Sequence, residues 1–499
     1  MKQVTYSTEQ TAIFDWIAGK LQATHAWLIV NALAGVGKTF TAAIGLLEHC
    51  PEVKRGESVL YAVFNKRNQL EAEKKIKHAS ITVKTWHSVG YGLLAKHWGR
   101  IRGNDSIEWR RVQSVLDSMG KKDCPKQVMF QCVKLVGILK NYIGIPTVEF
   151  ATKQAMAKDC LPTDKQELAG WTTDLIVNVS IGAMKLATVK DKSGEISFGD
   201  MGGWLPIELG IIRPTYKFIL ADEGQDLNEV QVEMMRQLSS GRGCVIGDRN
   251  QAIYVWRGAV CNGLDRMKKI FNATELKLSQ TFRCGKAIVK EACSLVPEYV
   301  AHESNCEGIV ETATEDKMIS EAKIGDAILS RVNAPLMKLC LGFIRANKSA
   351  KIEGRDIGKM LTSLVESLEA TDATFSDKLN LWEQTRIAKA TGWNATKTVE
   401  LVQDQAATLR AVWEASTTIQ DMLARINNLF QDSTSEYAKP CIVLSSVHKS
   451  KGLEWGTVYL LAETFNRNRP DATAESMAEE KNIQYVAITR AISRLVWVR

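Results

Sequence analysis

The apolar residues 26–30 run directly into Asn31, Ala32, Leu33, Ala34, Gly35, Val36, Gly37, Lys38, Thr39 and Phe40, a glycine turn closed by lysine and threonine. A buried strand that enters such a turn and then a helix leaves few folds open. The backbone N–H groups of the turn converge at a helix N-terminus and form a cradle for phosphate. Lys38 adds a point charge, and Thr39 offers a hydroxyl to Mg²⁺. The strict G-x-x-x-x-G-K-[ST] pattern has glycine where this chain has Ala32, so by itself the run also fits an ordinary glycine turn.

The 499 residues have room for about three domains, each with its own core. A net charge of +8 is compatible with a polyanionic partner and equally with a solvated lysine-rich surface. Eleven cysteines are scattered with no C-x-x-C pair, which argues for free thiols in a reducing compartment rather than a disulfide framework or zinc site. Neither a signal-peptide core nor a bilayer-length apolar run is present, so a cytoplasmic location without membrane insertion is expected.

Strand-like runs at 59–63, 218–221, 244–246, 327–329, 442–444, 458–461 and 495–498 alternate with helical stretches, the mark of parallel sheets covered by helices. Two blocks break the pattern. Residues 90–195 and 354–437 read as mainly helical, with amphipathic stretches such as 109–119 and 396–423. The expected fold class is therefore α/β, with two cores each interrupted by helices.

Residues 218–221 deliver Asp222 and Glu223 at the end of an apolar strand. In a nucleotide-hydrolysing site the first acid can hold Mg²⁺ and the second can polarise the attacking water. A strand ending in a solvated acidic turn has the same pattern. The run from Val245 to Ala259 then ends a strand in Gly247 and Asp248, followed by Gln251, Tyr254, Trp256 and Arg257.

Together with Asp222-Glu223-Gly224-Gln225-Asp226, that run resembles motifs II and III of superfamily 1 DNA helicases of the UvrD/Rep type. The remaining blocks of that family appear in its order. Residues 6–10 resemble the Q motif, 63–66 motif Ia, 85–90 motif Ib, 278–283 motif IV, 444–455 motif V and 485–491 motif VI. Ala32 fits as well, because these helicases commonly use A-x-x-G-x-G-K-T. Phe40 and Phe282 depart from the Arg and Tyr usual there; Phe282 keeps a stacking face.

The resemblance implies two RecA-like P-loop domains, at 1–89 with 196–275 and at 276–353 with 438–499, interrupted by helical accessory insertions at 90–195 and 354–437. It implies an ATP- and Mg²⁺-dependent helicase or translocase that closes two domains on one nucleotide and moves 3′ to 5′ along single-stranded DNA. Its substrates would be single strands and single-strand/duplex junctions. A remodelling translocase with little unwinding and an RNA helicase of the same superfamily remain alternatives.

Carried over residue by residue, Gln10 reads adenine and Phe282 stacks on the base. Residues 32–39 bind phosphate, with Thr39 and Asp222 on the metal. Glu223 activates water, Gln251 senses the γ-phosphate, Glu454 approaches the ribose, and Arg283 and Arg490 act as arginine fingers. Phe64, Asn65, His87, Tyr254, Trp256, Arg257 and His448 would contact DNA. The short second insertion, and a chain that stops soon after motif VI, imply a compact, phage-like member. Such a member is expected to be monomeric or weakly self-associating, in the nucleoid or the cytoplasm of a phage-infected host.

Overall fold

A computed structural model describes residues 6–20, 25–158, 160–162, 166–167, 169–253, 262–390, 395–431, 440–465 and 474–499. The chain forms two compact units. One comprises the chain up to Leu33 with Gly37–Leu278; the other comprises Ala34–Val36 with Ser279–Arg499. The class is α/β, with parallel sheets flanked by helices, as the alternating pattern predicts.

In the first unit the strands are β1 (Trp27–Ala32), β2 (Val59–Val63), β3 (Ile81–Thr85), β4 (Tyr216–Ala221), β5 (Ser239–Gly247) and β6 (Thr274–Leu278). They pair in parallel in the order β3-β2-β4-β5-β1-β6. Each central strand contains a continuous apolar run because helices cover both faces of a parallel sheet. β2, for example, is buried along its whole length. The two strands that the apolar pattern does not reveal, β3 and β6, are the sheet's edges, where Thr82, Lys84, Glu275 and Lys277 are tolerated.

Thr85 caps the helix Trp86–Trp98, accepting a hydrogen bond from the Ser88 backbone. This helix is unbroken through residues 89 and 90. Trp86 and Val89 pack in the sheet's core, while Leu94 belongs to a second core built by the helices Ser106–Ser118, Lys126–Leu139, Val148–Ala157 and Thr173–Ala187. The parallel pairing of Arg102–Gly103 with Glu195–Ile196 closes the neck of that segment. At its base lies a buried ionic cluster. Asp200 accepts from Lys140 Nζ at 2.6 Å and from Arg111 at 2.7 Å, and both cations also meet Glu108. Charge in a core is retained only when paired in this way.

The second unit holds β7 (Ile309–Ala313), β8 (Ala327–Ser330), β9 (Ala350–Glu353), β10 (Phe430–Gln431), β11 (Ile442–Ser446), β12 (Trp455–Leu461) and β13 (Ala491–Val498). These are parallel in the order β7-β13-β12-β8-β11-β9-β10. Between β9 and β10 come the helices Arg355–Ser367, Phe375–Ala388, Ala395–Glu414 and Ile419–Leu429. Unlike the first helical segment, they share one core with their sheet: Leu409, Val412 and Ile426 cluster with Ile328, Ile352 and Leu444. Among the described residues no helix is long and apolar enough to cross a membrane.

Candidate nucleotide and nucleic-acid site

β1 ends at Ala32, and the helix Lys38–Ile44 begins after Gly37. Gly35 and Gly37 have φ of 68° and 81°, a left-handed backbone that side chains disfavour, which is why glycine stands at both places. Lys38 Nζ lies 3.2 Å from Glu223 Oε2. Burial alone would lower the lysine's pKa, but Glu223, Asp248 and Asp222 outweigh it and hold the ammonium above its ordinary value.

β4 delivers the two acids. Asp222 is only 4 % exposed, and its Oδ1 accepts from the Glu223 backbone at 2.9 Å. Burial, reinforced by the Glu223 charge, pushes its carboxyl up to about 6 against the pull of Lys38. Glu223 itself sits at φ 52°, strained for a residue with a Cβ. Strain of this kind persists only where the surroundings impose it, and here Lys38 and Gln225 both donate to Glu223 Oε2.

A line of polar contacts continues from there. Gln225 Nε2 donates to Glu223 at 2.7 Å, and its Oε1 accepts from the Asp248 backbone at 2.9 Å. Gln251 Nε2 donates to Asp248 Oδ2 at 2.7 Å. Asp248 is fully buried, and burial pushes it up to about 6 despite Lys38 and Gln251. Gly247 permits this approach, since a Cβ there would stand 2.5 Å from Gln225 Oε1. Lys38, Glu223 and Gln251 are thus joined through Gln225 and Asp248, two residues to which the family resemblance assigns no role. The signal for both was present: a polar residue directly after an apolar strand or turn.

Gln10 and Ser7 form a capping box at the start of the helix Thr8–Ile17. Gln10 Nε2 also donates to Thr41 at 3.2 Å, tying that helix to the phosphate-loop helix. Among the residues expected to meet DNA, Phe64 is half-buried and Asn65 caps the helix Lys66–Lys75. Burial lowers the His87 pKa, with Asp105 opposing, and its ring lies 6.0 Å from that of Phe198, an exposed aromatic not singled out from the sequence. His448 is half-buried in the helix Val447–Ser450. Tyr254, Trp256 and Arg257 lie outside the described residues.

In the second unit, Ala34 and Gly35 are held by three hydrogen bonds, from Tyr485, Tyr299 and Phe282. Ala34 N donates to the Tyr485 hydroxyl at 3.0 Å, and the Tyr299 hydroxyl donates to Ala34 O at 2.9 Å. Phe282 N donates to Gly35 O at 2.9 Å, and a Cβ on Gly35 would lie 2.5 Å from Arg283 Cβ. Arg283 Nε pairs with Glu454 at 2.5 Å. Phe282 is 46 % exposed, its ring 4.7 Å from that of His302.

Arg490 is the unusual cation. It is 2 % exposed and donates to the carbonyls of Val486 and Leu453 and to Thr489 Oγ1. Among the described residues no carboxylate pairs with it. Burial, together with the Arg283 charge, lowers it to about 10. Two neighbouring guanidinium groups, one buried without a counter-charge, favour an anionic ligand.

The profile of the UvrD-like helicase C-terminal domain matches residues 230–498, more than half of the chain. The chain belongs to the UvrD-like helicase family. An AAA domain profile matches residues 16–257, so the two profiles together take in both units. Similar proteins include the F-box DNA helicase protein 1 of Schizosaccharomyces pombe, 24% identical over 94% of this chain and 55% of the relative. The ATP-dependent DNA helicase Rep of Buchnera aphidicola is 23% identical over 66% of this chain and 49% of its own length. For PcrA of Bacillus subtilis, an ATP-dependent DNA helicase, the figures are 26%, 55% and 38%. The chain thus spans about half the length of the curated relatives it matches. In this UvrD-like chain, Lys38, Asp222 and Glu223 belong to the first unit, and Ala34–Val36, Arg283 and Arg490 belong to the second.

Proposed function

We propose that the chain is an ATP-dependent DNA helicase that moves 3′ to 5′ on single-stranded DNA and opens duplex at a junction. The observation that carries this reading is the continuous polar line from Lys38 through Glu223, Gln225 and Asp248 to Gln251. It connects a phosphate-binding ammonium to a candidate water-activating carboxylate and to the end of β5, from which the residues expected to reach DNA follow. Relatives of this chain carry the names of ATP-dependent DNA helicases.

In this reading the first RecA-like domain is 1–89 with 196–275 and the second is 276–353 with 438–499, with helical accessory segments at 90–195 and 354–437. Lys38 and the loop N–H groups bind the phosphates. Glu223 takes the proton of the attacking water, held in place by Lys38 and Gln225. Arg283 and Arg490 neutralise charge that develops on the transferring phosphoryl group, and Gln251 reports its presence to the DNA track. Phe282 and Gln10 approach the base and Glu454 the ribose.

Hard oxygen donors suit Mg²⁺, which keeps several waters and is bound by one or two carboxylates with substrate phosphates. The residues fit that demand. Asp222 is a buried acid next to a second acid, and Thr39 stands in the first turn of the phosphate-loop helix, while no cluster of three or more acidic, histidine or cysteine ligands occurs among the described residues. When bound, the metal would offset phosphate charge and polarise the γ-phosphoryl group.

Strand displacement on 3′- and 5′-tailed duplexes tests the proposal, with phosphate release measured beside single-stranded DNA and RNA. Displacement of the 3′-tailed substrate alone, stimulated by DNA and abolished in Lys38→Ala, is expected. Stimulation without displacement on either substrate would instead make the chain a remodelling translocase, and a preference for RNA would make it an RNA helicase.

A further inference from the structure

Strand β2 reads Val59-Leu60-Tyr61-Ala62-Val63, and every residue of it is buried. A phenol hydroxyl in the middle of such a strand is out of pattern, because burying it costs free energy unless a partner receives it. Phenylalanine would satisfy the packing equally well. The partner is specific: the Tyr61 hydroxyl donates to Asp222 Oδ2 at 3.0 Å. The strand register explains how it reaches. Tyr61 stands beside Leu220 and Ala62 beside Ala221, so the phenol needs to extend only past the end of β4.

The other oxygen of Asp222 accepts from the Glu223 backbone at 2.9 Å. Each carboxylate oxygen therefore has one fixed donor. The terminal torsion of an aspartate is otherwise broad and roughly two-fold, so the carboxylate plane would be free to turn. With two donors in place the plane is set, and each oxygen keeps a further lone pair for a ligand.

We propose that Tyr61 is a positioning residue for the divalent metal: its buried hydroxyl orients the Asp222 carboxylate that receives Mg²⁺ with the nucleotide. The inference rests on the reading of Asp222 as the metal-holding acid and adds to it a residue outside the family's motifs. A role in packing alone would affect stability and leave metal affinity untouched.

The test is Mn²⁺ binding to the full-length chain with ADP, followed by the loss of the free Mn²⁺ paramagnetic resonance signal. Donors that orient a metal ligand contribute on the order of 10- to 100-fold in metal affinity. Tyr61→Phe should weaken Mn²⁺ by about tenfold or more and leave metal-free ADP binding, read by fluorescent-nucleotide titration, unchanged. Asp222→Asn should weaken Mn²⁺ further, and adding Tyr61→Phe to it should change nothing more. Wild-type Mn²⁺ affinity in folded Tyr61→Phe, with Asp222→Asn impaired, would overturn the inference alone. Wild-type affinity in Asp222→Asn would overturn the reading of Asp222 and the inference with it. Should Tyr61→Phe fail to fold, Tyr61→Met takes its place; failure of both assigns the side chain a structural role and refutes the proposal.

Discussion

Replacing Asp200 by asparagine changes one charge in a site that solvent does not reach. Asp200 is wholly buried and accepts from Lys140 Nζ at 2.6 Å, Arg111 at 2.7 Å and the Ser197 backbone at 2.9 Å. Two cations and two anions, the second being Glu108, balance in the wild type. Asparagine has nearly the same volume and still offers one acceptor, so packing is retained while the cluster acquires an uncompensated positive charge. Removing one member of a buried ion pair costs about 3–5 kcal/mol. A typical domain has only about 5–15 kcal/mol in total, so the loss is a large fraction. Urea unfolding at pH 7 measures it, and limited proteolysis should find new cuts within residues 90–200. Lys140→Met combined with Asp200→Asn leaves the Arg111–Glu108 pair balanced and should be more stable than Asp200→Asn alone. The pH dependence supplies a second check. Burial raises the pKa of Asp200, but Lys140 and Arg111 outweigh it and hold the carboxyl well below the usual range. Its stabilisation is therefore complete above the unfolded-state value of about 3.9 and is lost as pH falls through the lower folded value. The gap between wild type and Asp200→Asn should be level near neutrality and narrow in strong acid. A cost under about 1 kcal/mol at pH 7, or a gap that widens in acid, would refute the electrostatic account.

Three further outcomes are expected. Gly35→Ala forces a Cβ into a left-handed backbone and to within 2.5 Å of Arg283 Cβ. With the backbone strain alone near 1–2 kcal/mol, fluorescent-nucleotide affinity should fall by roughly tenfold or more. Arg490→Lys keeps a positive charge but loses the planar fork that reaches Val486, Leu453 and Thr489. DNA-stimulated phosphate release should drop by about 10³-fold with a far smaller change in nucleotide affinity, and normal turnover would remove Arg490 from the site. Affinity for single-stranded DNA should fall steeply with salt as phosphate contacts release counterions; a flat profile would contradict the proposed track.

The central strands of both sheets were legible in the sequence because a strand buried on two faces must be largely apolar, as residues 59–63 and 442–444 are. The phosphate loop and the acids after β4 were legible for a related reason. Chemistry at a strand end requires polar residues at the point where an apolar run stops. Edge strands β3 and β6 were not legible, since one open side lets Lys84 and Lys277 interrupt the pattern.

What the linear order could not contain were contacts between residues far apart in the chain. Tyr61 and Asp222 are separated by 161 positions, and Asp200 and Arg111 by 89. In isolation Tyr61 is one more bulky residue in a buried strand, and Asp200 one more acid near a glycine pair. Sequence alone thus determined the parallel α/β class and the helicase family, and it supplied the residues proposed for ATP. Tertiary structure decided which buried hydroxyl, amide and carboxylate touch them, because a hydrogen bond depends on ångström proximity and periodicity carries no such distance.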